Sequence, residues 1–193
     1  GLFLQIDGTG HGKVTTDTGL SCQSSDCQVD PKTGDLKCNP QACTQREKTA
    51  SVVTLTPQAD ADSVFSSWGG NEDCIDGKVF MNSGILCIAY FHRIYSLTVA
   101  AQGPGQVTGY GDYNQQPIID CGSKCQTSVS EGMRVSLQAI PTQGMTFSGW
   151  SGDCGNSTQT PLTVAVNKEM KCLATFVMPA PVVTPPPVTP TPP

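Results

Sequence analysis

Ten cysteines are the first candidates for chemistry in this chain of 193 residues, because a thiol can close a disulfide, bind a soft metal or act as a nucleophile. They stand at Cys22, Cys27, Cys38, Cys43, Cys74, Cys87, Cys121, Cys125, Cys154 and Cys172. The next candidate is Gly149-Trp150-Ser151-Gly152-Asp153, which resembles a nucleophile elbow. The elbow needs G-x-S-x-G, and Asp153 occupies its fifth position. His11 and His92 lie outside the motif, so it reads as a Gly-bounded turn that buries Trp150. Oxygen donors gather in Asn71-Glu72-Asp73-Cys74-Ile75-Asp76, with a lesser group in Asp153 and Asn156. Neither follows a calcium-loop pattern, and both read as solvated turns. Asp60 and Asp62 form a polar turn before Phe65. Asn156-Ser157-Thr158 is a sequon. No base, nucleophile and metal set assembles, so the chain is expected not to be an enzyme and to need no cofactor.

These residues sit in a sequence that says nearly the same thing twice. Leu97 to Phe176 carries L-T-V, G-P-G-Q-V, C-G-S-K-C, V-S-L-Q-A, F-S-G-W-S-G-D-C and K-C-L-A-T-F. Leu4 to Phe91 carries a worn copy, with L-Q-I, G-H-G-K-V, C-Q-S-S-D-C, V-T-L-T-P, F-S-S-W-G-G-N-E-D-C and L-C-I-A-Y-F. Phe65 and Trp68 answer Phe147 and Trp150, and Gly69 stands where the second copy has Ser151. Trp68 and Trp150 read as buried core anchors, since each follows a Phe and precedes a cysteine in so thin a core. The alternative is an exposed platform for sugar rings.

The repeat divides the cysteines six and four, an even count in each copy that suits closed disulfide sets in an oxidising compartment. Equivalent spacings narrow the expected pairing to local bonds: Cys22–Cys27, Cys38–Cys43, Cys74–Cys87, Cys121–Cys125 and Cys154–Cys172. In the chain-entropy model a loop as long as Cys154 to Cys172 stabilises by about 3 kcal/mol. The rival is zinc held by C-x3-C and C-x17-C. The chain has no C-x2-C knuckle, and the extra pair Cys38 and Cys43 makes no metal sense beside that set.

The elements that must position these residues are strands. Met133, Val135, Leu137 and Ala139 alternate with polar neighbours, as do Leu2, Leu4 and Ile6, or Cys172, Ala174 and Phe176, a period of two. Gly103-Pro104-Gly105 reads as a hairpin turn. The first copy carries an insertion of about 16 residues, because Cys27 to Val53 spans 26 positions while Cys125 to Val135 spans 10. That insertion, within 28–50, is polar and brings Cys38 and Cys43, which would close it on itself. The expected domains are 1–93, 94–178 and a Pro/Thr-rich extended tail, 179–193. The tail holds eight of the fifteen prolines and reads as polyproline II. Its Thr184, Thr189 and Thr191 are candidates for O-linked sugar.

The motif set G-x-V, C-G-x-x-C, V-x-L-x-A, F-x-G-W-S-G-D-C and C-x-A-T-F resembles the divergent internalin-type B-repeat of bacterial surface proteins. The likeness covers about residues 2 to 177 and is stronger in the second copy. In the first, the loop after Trp68 is two residues longer, Tyr90 replaces Thr and the insertion intervenes. The resemblance implies an all-β chain of β-grasp-like small sheet modules, used in tandem on exported proteins, with no catalytic residues to carry over.

Charge and hydropathy narrow the partners. Eleven Lys and Arg against 16 Asp and Glu, with no basic stripe, exclude nucleic acid as a natural partner. No apolar run reaches the length of a membrane span. No signal peptide is visible, so export implies one already removed. The expected function is a non-enzymatic extracellular building block of a bacterial surface protein, adhesin or filamentous appendage. Self-association, or contact with neighbouring domains, would run through the tail on Val182, Val183, Val188 and the proline rings. The alternative is a carbohydrate-binding accessory module of a secreted enzyme.

Overall fold

The computed structural model describes residues 1–113 and 115–181. The expected assembly residues Val182, Val183 and Val188, and Thr184, Thr189 and Thr191, lie outside the described residues. The fold is nearly all β, in several small sheets, and period-two alternation explains why. Leu2, Leu4 and Ile6 are buried on one side of their strand, and Val135, Leu137 and Ala139 on one side of theirs. The chain forms two compact units. The first is Gly1–Leu97 with Ser128–Arg134 and Ala165–Met170; the second is Thr98–Thr127, Val135–Val164 and the chain from Lys171 onward.

The first unit begins with β1 (Leu2–Asp7), β2 (Gly12–Thr16), β3 (Ser21–Gln23), β4 (Cys27–Val29) and β5 (Leu36–Cys38). A one-turn helix α1 (Pro40–Cys43) and β6 (Thr44–Gln45) follow, then β7 (Ser51–Ala59), β8 (Ser63–Gly70), β9 (Lys78–Met81) and β10 (Ile85–Gln102). β1 runs parallel to β10, setting Leu4 beside Cys87, while β8 lies antiparallel on β10. β2 pairs with β3 and β7, and β7 with β9. The core between them is Leu2, Leu4, Ile6, Val14, Val53, Val79, Ile85 and Phe91, all essentially without solvent contact.

The chain continues with β11 (Gly105–Gly111), β12 (Ile119–Cys121), β13 (Gln126–Ser130), β14 (Arg134–Pro141), β15 (Thr146–Gly152), β16 (Leu162–Ala165) and β17 (Met170–Val177). The second unit takes the end of β10 and all or nearly all of these except β13, of which Ser128–Ser130 counts with the first. β11 lies between β12 and β14, and β15 pairs antiparallel with β17. Gly103–Gly105 is therefore not a hairpin turn. β11 belongs to a different sheet from β10, and the turn is a corner that hands the chain from one sheet to the other. Gly103 is needed there with φ near 87°, since a Cβ would fall 2.2 Å from the Phe176 carbonyl oxygen.

Candidate functional site

Each half builds an aromatic clamp from the same motif residues. In the second unit Phe147 packs between Trp150 and Phe176, with ring centroids 5.3 and 5.8 Å away. In the first, Phe65 packs between Trp68 and Phe91 at 5.1 and 5.7 Å. The strand registers coincide as well. Trp150 opposes Ala174 and Gly152 opposes Cys172, while Trp68 opposes Ala89 and Gly70 opposes Cys87. Each pairing slips by one residue just after its Phe, leaving Ser66 and Ser148 as the extra residues of matching bulges. Glycine lies under each closing ring: a Cβ on Gly12 would meet the Phe91 ring at 2.6 Å, and one on Gly105 the Phe176 ring at 2.5 Å.

The two tryptophans differ in cover. Trp150 is 3% exposed, and its Nε1 donates to the Gln159 carbonyl at 2.9 Å while its backbone N–H donates to Ser157 at 2.7 Å. Trp68 is only half-buried, which corrects the expectation that both would be sealed. The reason is loop length. The segment that folds over Trp150 belongs to the span from Cys154 to Cys172, 18 positions, against 13 from Cys74 to Cys87. The shorter first span is only partial cover.

The structure bonds Cys74 to Cys87, Cys121 to Cys125 and Cys154 to Cys172. It departs from the local expectation in the insertion, where Cys22 bonds Cys43 and Cys27 bonds Cys38, so Cys22–Cys27 and Cys38–Cys43 are not formed. The insertion folds as an antiparallel hairpin of β4 and β5, whose register sets Cys27 directly opposite Cys38. A 3₁₀ turn over Ser24–Asp26 carries the chain from Cys22 to Cys27 and leaves Cys22 for Cys43 on α1. Asn39 caps α1 by accepting from the Gln41 N–H at 3.0 Å. The insertion is thus clasped to the core and does not close on itself.

Beside this hairpin is a surface cavity of about 650 Å³, lined by Asp26, Val29, Asp30, Lys37 and Asn39 among others. Lys37 Nζ donates to Asp30 at 2.9 Å, and with the Lys32 N–H it holds the Asp30 carboxyl below the usual carboxylate range. Sequence reasoning missed this cavity because it arises from the hairpin register.

The remaining candidates have local work. Ser151 lies within β15 opposite Leu173, in a strand and not in the turn that the sequence implied. His11 and His92 belong to the first unit and Ser151 to the second. Asn71 Oδ1 accepts from the Asp73 N–H at 3.0 Å and Asp76 Oδ1 from the Lys78 N–H at 2.9 Å, so both oxygens serve turns. Asp153 Oδ2 accepts from the Lys171 N–H at 3.0 Å. Asp60 closes the turn before Phe65, its carbonyl accepting from Ser63 at 3.1 Å. No described helix is long and apolar enough to cross a membrane.

Residues 95–180 match the divergent InlB B-repeat domain family, which covers the second copy of the motif set. No curated protein matches the chain. Among solved structures, the major pilin protein (T-13) from Streptococcus pyogenes is similar at 11% identity over 91% of this chain and 95% of that one, with a TM-score of 0.33.

Proposed function

We propose that the chain is a non-enzymatic structural part of a bacterial surface protein, built from two tandem B-repeat-like modules. One observation carries this reading: the residues shared by the two halves are spent on each other. Phe, Trp and Gly of each motif close an aromatic clamp, Asn71 and Asp76 hold turns, and Asp153 ties down the Lys171 backbone. A site built for turnover would instead leave a base and a nucleophile facing a common cleft. The family match at 95–180 supports a surface-repeat role, and the disulfides suit an extracellular setting. The first half counts as a second copy on its matching registers and bulge, since the family match falls on the other half.

In this reading the Pro-rich tail docks on a neighbouring domain or subunit, making the chain one link of an adhesin or appendage. Deleting residues 179–193 should leave both units folded by circular dichroism while weakening self-association in analytical ultracentrifugation. A full-length chain that stays monomeric at high concentration, with a mobile tail by NMR, would leave a plain tandem spacer. A glycan-array signal lost on Trp68→Ala at unchanged stability would favour the carbohydrate-binding alternative.

A further inference from the structure

Four sulfurs from four separate elements meet at the base of the insertion. Cys22 comes from β3, Cys27 from β4, Cys38 from β5 and Cys43 from α1, and all four Sγ atoms lie within 4.8 Å of one another. Disulfide bonding requires only that each sulfur meet one partner, so a cluster of all four is a further property. No other group of three or more cysteines, histidines or carboxylates among the described residues draws its ligand atoms together in this way. The spacing is symmetric, C-x4-C, ten residues, C-x4-C, with a short helical turn inside each half and a hairpin between them. Two ligand pairs on two turns, joined by a hairpin, is the arrangement of tetrahedral thiolate sites. The pair that seemed to make no metal sense in the sequence is the pair that completes the set.

The geometry is close to what a metal needs. At a Zn–S bond of about 2.3 Å, tetrahedral sulfurs stand about 3.8 Å apart. From an upper limit of 4.8 Å, each unbonded pair would close by no more than about 1 Å. Each bonded pair would open by slightly under about 2 Å once its disulfide is gone. Cys22 and Cys43 are buried at the core side, whereas Cys27 and Cys38 are partly exposed, which gives reductant and ion a way in.

We propose that these four cysteines, when reduced, form a tetrahedral S4 site for Zn²⁺. An external phosphine supplies the reduction. Each disulfide takes two electrons from one phosphine, which leaves as the oxide with the oxygen of one water, and that water's two protons complete the two thiols. Zn²⁺ then displaces the four protons as the thiolates bind. The insertion thereby has two clasped states, by metal in reducing surroundings and by disulfides in oxidising ones.

The test uses the full chain, reduced anaerobically with a phosphine and titrated with Co²⁺ and then Zn²⁺. The expected result is one equivalent bound, with thiolate-to-cobalt charge transfer and intense tetrahedral d–d bands that Zn²⁺ abolishes. Cys27→Ser with Cys38→Ser should lose these bands, and Cys43→His should shift them. Cys121→Ser with Cys125→Ser should leave them unchanged. A reduced chain that binds no metal overturns the proposal, whether or not it stays folded. So do bands that survive Cys27→Ser with Cys38→Ser, or that Cys43→His leaves unaltered.

Discussion

Trp68 and Trp150 occupy the same place in matching clamps, yet one is half-open and the other sealed. The rings, the registers and the bulges agree, so the clamp itself cannot explain the difference. What differs is the connection beyond it, whose span between bonded cysteines is five positions longer in the second half and whose Ser157 and Gln159 carbonyls accept from Trp150. Two halves of one chain can hold the same packing motif while the loops around it set how much solvent reaches it. The second half has invested its extra chain in cover, and the first has invested its own in a crosslinked hairpin elsewhere.

The comparison is most exposed to substitution of the two tryptophans. Trp150→Ala should cost about 3–5 kcal/mol, the range for removing a large aromatic from a core. Trp68→Ala should cost about 1–2 kcal/mol, because less of its area leaves water on folding. Equal losses in urea melts would mean that loop cover does not govern the clamp.

Crosslinks come next. Cys154→Ser with Cys172→Ser should cost about 3 kcal/mol, since it frees an 18-position loop. Cys27→Ser with Cys38→Ser should cost about 2 kcal/mol or less, because Cys22–Cys43 already confines the loop that contains it. A non-reducing peptide map should join Cys22 to Cys43; finding Cys22 joined to Cys27 would restore the local pairing and break the hairpin account.

Glycine tests where the halves agree. Gly105→Ala and Gly12→Ala should each cost about 1–3 kcal/mol, as a methyl is forced against Phe176 or Phe91. A large loss in one half alone would show that the clamps are not equivalent.

The smallest effect is electrostatic and confined to the first half. Asp30 is held below its usual pKa by Lys37, so its contribution is present above the unfolded-state value and fades as pH falls through the lower folded one. Acid titration followed by NMR should loosen the hairpin in that window, and Lys37→Ala should weaken the dependence, leaving the part due to the backbone N–H groups of Lys32 and Thr33.

Much of this architecture is legible in the sequence. Alternation at Val135, Leu137 and Ala139 dictates a strand with one buried face, and the paired Phe and Trp signals mark both clamps. The two failures of local reading have a common cause. Cys22 and Cys27 look like the counterpart of Cys121 and Cys125, but the inserted hairpin offers Cys27 a partner directly across the ladder. Gly103–Gly105 looks like a hairpin turn, but whether two strands pair depends on the sheet that each one joins. Spacing along the chain cannot show which strand lies opposite. The same limit hid the depth of Trp68, which depends on what folds over it.

The nesting of Cys27–Cys38 inside Cys22–Cys43 has a mechanical consequence. Tension applied along the chain passes through the outer sulfur bridge and leaves the hairpin slack, so 21 positions, about 70 Å of contour, stay out of any extension. Opening the outer bridge alone would release only the flanks, because the inner one still shortcuts its 11 positions. Reductant meets the part-exposed inner bridge first, and its loss lengthens nothing while the buried outer bridge holds, so the insertion is slack held in reserve until that outer bridge opens.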